Sequence, residues 1–190
     1  MCERCNWSTS SERMIKYHDT EWGVPLHDDE KLFEFLVLEG FQAGLSWQIV
    51  LHKREDFRRA FDGFVPETIS AYDEKKLEKL LQDKTIIRNK QKISACVNNA
   101  LQFIKIQKEF ESFNNYIWSF VNYKPIVNSF SELNQLPAKT LLSDQISDDL
   151  KKRGFKFVGS TVVYAHMQAT GMVNDHLTNC FRYQEIISCY

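Results

Sequence analysis

Two stretches of this 190-residue chain concentrate the groups able to do chemistry. In Leu38-Glu39-Gly40-Phe41-Gln42-Ala43-Gly44-Leu45-Ser46-Trp47 a carboxylate stands beside an aromatic and an indole, across two glycines. Gly40 and Gly44 permit positive φ or the close approach of another backbone. The stretch reads as a connection between two packed helices, a place where binding groups collect. In Tyr17-His18-Asp19-Thr20-Glu21-Trp22-Gly23-Val24-Pro25 a phenol, an imidazole, carboxylates and an indole crowd together before a turn. One carboxylate, Glu39, with Trp47, Tyr17, Trp7 and Trp22 as walls suits a flat, cationic or electron-poor ring. The plainer alternative is that Glu39 ends a helix and Trp47 fills the core.

Metal-ligand spacing occurs at both ends of the chain. Cys2-x-x-Cys5 opens it, and His176-x-x-x-Cys180 near its close points two ligands the same way. Among Cys2, Cys5 and His18 the residues alone do not choose the partners. Zinc held by two ligands from each end would close the longest loop and leave no open position, a structural role. The alternative is a His176 satisfied by backbone beside free cysteines. His27, His52 and His166 lack partners and read as surface or core residues. There is no Ser/His/Asp order, phosphate loop or dinucleotide fingerprint.

The elements that must position these groups are helices. Asp28 or Asp29 is placed to cap a helix through Leu38 that ends at Glu39-Gly40, and Ser46 to cap the next. Pro66 suits a first turn, and Asp73 precedes a further helix. Ile93, Cys96, Val97, Ala100, Phe103 and Ile104 mark one face of a long helix, and Phe113 to Val121 another. Ser143 is expected to cap a helix that ends at Arg153 with Gly154 as its C-terminal glycine; Phe155 to Gly159 form a short hairpin, and Ser160 is expected to cap a helix through Gly171. That hairpin, with Lys151, Lys152, Arg153 and Lys156, suits a phosphodiester backbone. Strand signals are confined to brief β-branched pairs, so the expected fold is all-α, in one domain over residues 1–190.

Composition narrows the classes further. With 24 Lys plus Arg against 25 Asp plus Glu, no global basic excess announces nucleic acid, so any such binding needs a local patch. No segment approaches the roughly eighteen uncharged apolar residues of a membrane span, and no apolar signal core opens the chain. A cytoplasmic protein is expected, its five cysteines read as thiols or metal ligands rather than a disulfide frame.

Six motifs in order, Cys5-Asn6-Trp7, Tyr17 to Pro25, Leu38 to Trp47, Trp118-Ser119-Phe120-Val121-Asn122, Lys151 to Gly159 and Val173-Asn174-Asp175-His176, resemble the 3-methyladenine DNA glycosylase I family. The resemblance runs from Cys5 to about Tyr183. It implies an all-α helix-hairpin-helix glycosylase that flips an alkylated adenine out of duplex DNA and hydrolyses its N-glycosidic bond, releasing free 3-methyladenine. It places one structural zinc on Cys5, His18, His176 and Cys180, so that residues 5–18 and 176–180 form a clamp, and leaves Cys2 out. By the same carry-over Glu39 contacts the base edge and Trp47 stacks on it, with Tyr17, Trp7 and Trp22 around the pocket. Leu45, with Gln42 and Gly44, probes the gap in the duplex, and the hairpin with Lys156, Gly159 and Ser160 holds phosphate. Related enzymes place an Asp where this chain has Asn174, and Asp175 is expected to support His176. Two positions depart from the family: Met14 replaces an aromatic in the pocket wall, and Lys84-Thr85 replaces a small residue and glycine. The partners implied are alkylated duplex DNA and no membrane, with the protein a monomer. A zinc-clamped domain that binds damaged DNA without cleaving it is the alternative, and a hydrolase with a catalytic metal is disfavoured by four protein ligands.

Overall fold

Side-chain caps start most of the helices in the structure, a computed structural model that describes residues 3–188. In chain order they are α1 (Glu12–Thr20), α2 (Asp29–Gln42), α3 (Trp47–His52), α4 (Arg54–Ala60), α5 (Pro66–Ser70), α6 (Glu74–Gln82), α7 (Lys90–Phe110), α8 (Phe113–Ser119), α9 (Leu141–Lys152), α10 (Ser160–Ala169) and α11 (Phe181–Ile187). Ser11, Asp28, Asp73, Asn89 and Ser112 each accept a backbone N–H at the start of α1, α2, α6, α7 and α8. Pro66 sits in the first turn of α5, where a missing N–H costs nothing. The β-branched pair Ile126–Val127 forms β1, which pairs in parallel with β2, Val173–Asn174.

Four boundaries, on three helices, differ from expectation. Thr140, not Ser143, caps α9; Ser143 is the reciprocal partner of a capping box, its Oγ accepting the Thr140 N–H at 2.8 Å. Gly159 occupies the cap of α10, because the Ser160 hydroxyl is turned to Ser143 Oγ at 2.7 Å, and the helix ends at Ala169 rather than Gly171. Most consequential, α2 runs on through Glu39 and Gly40 to Gln42, so the connection to α3 is only Ala43 to Ser46. Packing outweighs the helix penalty of Gly40: Phe157 of the hairpin lies on it, 3.6 Å from where a Cβ would stand.

From Leu32 to Phe41 α2 is buried on every side, packed between α7, α8 and α10. Its Leu32, Phe33, Leu36, Leu38 and Phe41 join Phe57, Phe103, Trp118 and Tyr164 in the main core. A second, smaller cluster gathers Cys5, Met14, Tyr17, Trp22, Phe35 and Cys180, and Trp47 and Leu26 pack against both. Cys96 lies in the main core, its thiol donating to Lys92 O, and His166 is equally buried, its Nε2 donating to Leu32 O.

Candidate functional site: an aromatic pocket beside a Cys/His cluster

α2 carries two buried glutamates with opposite fates. Glu34 accepts from Arg54 Nε at 2.6 Å and from Arg58 Nε at 2.9 Å, a paired charge. Glu39, 4 % exposed, has no hydrogen-bond partner among the described residues. Burial alone pushes its carboxyl up to about 8. An unpaired carboxyl held by a rigid helix is costly to the fold, and such groups mark sites where a ligand supplies the missing partner.

Glu39 opens into a cavity of about 420 Å³. The four expected walls, Trp7, Tyr17, Trp22 and Trp47, line it, and so does Gln42 at the end of α2, which was expected at the gap in the duplex. Trp7 meets Trp22 edge to face at 4.9 Å, and Tyr17 lies 5.3 Å from Trp47 at 45°. The Trp47 Nε1 is buried without a partner. Met14 also lines the wall, so the position that departs from the family is a pocket position. A smaller recess of about 170 Å³ shares Glu39 and Gln42 with the cavity and reaches the exposed Gly44 and Leu45. Gly44 has φ +82, the conformation the glycine was expected to supply.

Lys156, Gly159 and Ser160 are not in the pocket but in the hairpin between α9 and α10. Lys156 and Gly159 are exposed, whereas the Ser160 hydroxyl is already bound to Ser143.

Two further wall residues carried no local signal. Gln168 and Ala165 reach the pocket from α10, far along the chain from Glu39. The Gln168 amide is oriented by Asp175, whose Oδ2 accepts from Gln168 Nε2 at 2.8 Å and Tyr164 Oη at 2.6 Å, while its Oδ1 accepts from Asn128 at 2.7 Å. Asp175 therefore does not support His176, contrary to expectation, because its oxygens are taken by α10 and the loop after β1. The neighbouring Asn174 does so instead, its Oδ1 accepting the His176 backbone N–H at 3.2 Å.

Behind Tyr17 and Trp22 lies a second constellation. Cys5, His18, His176 and Cys180 are all buried, with ligand atoms within 4.8 Å of one another. Cys2 lies outside the described residues. Cys180 Sγ is 3.4 Å from His18 Nε2 and 3.6 Å from His176 Nδ1, and Cys5 Sγ is 3.8 Å from the latter. A tetrahedral ion bound to sulfur at ~2.3 Å and nitrogen at ~2.0 Å has S···N edges of about 3.5 Å. Each imidazole spends its other nitrogen elsewhere: His18 Nδ1 donates to Asp19 at 2.7 Å, and His176 Nε2 donates to Trp22 O at 3.0 Å. These bonds leave a lone pair on the nitrogen that faces the sulfurs in each ring. With no cation between them the thiols divide unequally. The hydrogen bond between the two sulfurs drives Cys5 up, with burial adding to it, and drives Cys180 down. The four residues can hold a metal ion.

The Cys/His cluster and the pocket are physically continuous. Trp22 packs edge to face on His176 at 4.6 Å, and His18 follows Tyr17 in α1.

A family model described as methyladenine glycosylase matches residues 7–183. DNA-3-methyladenine glycosylase 1 of Escherichia coli (strain K12) is 48% identical over 181 residues, covering 95% of this chain and 97% of that protein. The DNA-3-methyladenine glycosylase of Haemophilus influenzae is 47% identical over 180 residues, with the same coverage of each. Among solved structures, a 3-methyladenine DNA glycosylase I at 48% identity superposes with a TM-score of 0.92, covering 94% of this chain and 98% of that one. The enzyme of Staphylococcus aureus, solved to explain its recognition of 3-methyladenine, gives 0.91 at 34% identity over 94% of this chain and 95% of that one.

Proposed function

The chain belongs to the methyladenine glycosylase family, and from that membership and its pocket we infer that it excises 3-methyladenine from alkylated DNA. It is a monofunctional DNA-3-methyladenine glycosylase I, leaving an abasic site. The observation that carries the reading is Glu39, a buried carboxyl without a partner among aromatic walls.

Methylation at ring N3 makes the base formally cationic. Glu39 contacts the edge of the flipped base, and its negative form is stabilised by that charge, as an arginine stabilises Glu34. Trp47 and Tyr17 stack on and enclose the ring, and Trp7 and Trp22 close the pocket against water. The C1′–N9 bond breaks with its electron pair moving into the base, which departs neutral; water adds to C1′ and gives up a proton. The leaving group is already activated, so one carboxylate serves where neutral glycosides need two. Neutral adenine lacks the charge that pays for ionising Glu39, so the same burial discriminates against undamaged DNA.

Leu45, with Gln42 and Gly44, fills the gap left in the duplex, and the hairpin with Lys156, Gly159 and the start of α10 holds the phosphodiester backbone. One zinc ion fits Cys5, His18, His176 and Cys180; when bound it supplies structure, because four protein ligands leave no position for water. The protein acts as one domain and as a monomer in the cytoplasm. No helix among the described residues is long and apolar enough to cross a membrane.

Chromatography of bases released from methylated duplex DNA tests the reading, with zinc content measured on the same samples. Wild type is expected to release free 3-methyladenine, and Glu39→Gln to release it at least tenfold more slowly at unchanged zinc. A folded, zinc-loaded wild type that binds methylated DNA but releases no base would instead establish the binding-only alternative.

A further inference from the structure

The 21-residue helix α7 touches both parts of the chain assigned to DNA, and it does so with two buried polar side chains. Lys92, 8 % exposed, has no carboxylate partner among the described residues; its Nζ donates to Phe41 O at 2.8 Å, in the last turn of α2, and to Ala43 O at 2.7 Å, the residue just past that helix. The cation thus caps the C-terminus of the helix that carries Glu39, where the loop to Leu45 departs. Asn99, 5 % exposed, brackets one residue of the hairpin: its Oδ1 accepts the Lys156 N–H at 2.8 Å and its Nδ2 donates to Lys156 O at 2.9 Å. Asn98 Nδ2 donates to Gly154 O at 2.8 Å. The backbone of Lys156 is therefore pinned while its side chain is exposed, and the next residue, Phe157, is held at φ +56.

Lys92 and Asn99 are seven residues apart, on one face of α7 and about 10 Å along its axis. We propose that Lys92 and Asn99 are positioning residues for the glycosylase reaction: they register the loop carrying Leu45 against the phosphate-binding hairpin, so that both engage one duplex at a fixed spacing. The proposal rests on the DNA-facing roles inferred above. Neither residue touches the pocket, so each acts on the grip on DNA and not on recognition of the base.

The test uses the zinc-loaded full chain as wild type, Lys92→Met, Lys92→Arg and Asn99→Ala. Three quantities are read: KM and kcat for base release from methylated duplex, Kd for the same duplex by fluorescence anisotropy, and Kd for free 3-methyladenine by quenching of the pocket tryptophans. Lys92→Met and Asn99→Ala are each expected to raise KM and duplex Kd about tenfold, with kcat and free-base affinity within twofold of wild type. Lys92→Arg, which can still donate to both carbonyls, is expected to restore most of the loss. A lowered melting temperature with unchanged duplex affinity overturns the proposal and leaves the two residues as core polar groups. Parallel loss of duplex and free-base affinity also overturns it, since the effect then runs through the pocket. If Asn99→Ala does not fold, Asn98→Ala, at a half-buried position, decides the hairpin half by the same comparison. Wild-type turnover reports separately on the glycosylase reading, and duplex affinity tests the registration whatever that turnover is.

Discussion

At the scale of single residues the informative contrast is between Glu34 and Glu39, five positions apart on α2 and both buried. Arg54 and Arg58 pair with the first; none of the described residues does so for the second. Burial raises the Glu39 carboxyl to about 8 in the empty pocket, so near neutrality it is largely protonated, and a cationic base must ionise it. Among the described residues the only other titratable side chain lining the cavity is Tyr17, whose phenol burial also drives upward and keeps neutral. The kcat/KM for methylated DNA is therefore expected to rise with pH from about 6 to about 8 and then level, and a pH–rate profile of wild type against Glu39→Gln is expected to show that limb only in wild type. Stability runs the other way. The folded pKa lies above the unfolded one, so between the two the native state binds the extra proton and stability falls as pH rises. Thermal melts at pH 5 and pH 8 are expected to favour Glu39→Gln increasingly at the higher pH. A gap that stays constant would show that Glu39 is ionised in the empty pocket.

At the scale of elements, the glycines separate conformational from steric demands. Gly44 stands at φ +82 with nothing within 4 Å of an added Cβ, so Gly44→Ala meets only backbone strain, about 1–2 kcal/mol. Because the strain falls on the exposed loop before Leu45, the expected result is a several-fold rise in KM for DNA with the melting temperature and free-base affinity nearly unchanged. Gly171, at φ +69, would place a Cβ within 2.4 Å of the Val24 and Pro25 backbone. The strand entry at β2 and the turn after Trp22 cannot both keep their positions, so Gly171→Ala is expected to lower the melting temperature severely or prevent folding, as differential scanning calorimetry would show.

At the scale of the whole molecule, the Cys/His cluster ties the segment before α1 to the turn after β2, joining the two ends of the chain behind the pocket. Without an ion, the cluster would leave Cys5 and Cys180 sharing one proton beside two buried imidazoles. Chelation, or Cys180→Ser, is expected to lower the melting temperature by at least about 10 °C, taking several kcal/mol at ~2–4 °C each for a chain of this size. Free 3-methyladenine should also bind more weakly, because Trp22 rests on His176 and Tyr17 precedes His18. Titration of the stripped protein with the free base checks this: unchanged affinity would mean the clamp serves stability alone.

The helices were legible in the residues themselves because their causes are local. Asp28, Asp73 and Pro66 act within one turn, and the Ile93 to Ile104 spacing shows which face of α7 is buried. The candidate site was legible in part: Glu39 and its tryptophans stood out as motifs and His176 with Cys180 by spacing, whereas Cys5 and His18 were chosen only through the family resemblance. What only the tertiary structure decided depends on neighbours remote in the chain. Gly40 is helical because Phe157 covers it; Asp175 serves Gln168 rather than His176; Lys92 and Asn99 hold loops some fifty residues away from each, and no local pattern distinguishes them from ordinary polar residues of a helix. Propensity and capping are short-range and written residue by residue, whereas the partner of a buried polar group is chosen by packing, which no local stretch of sequence contains.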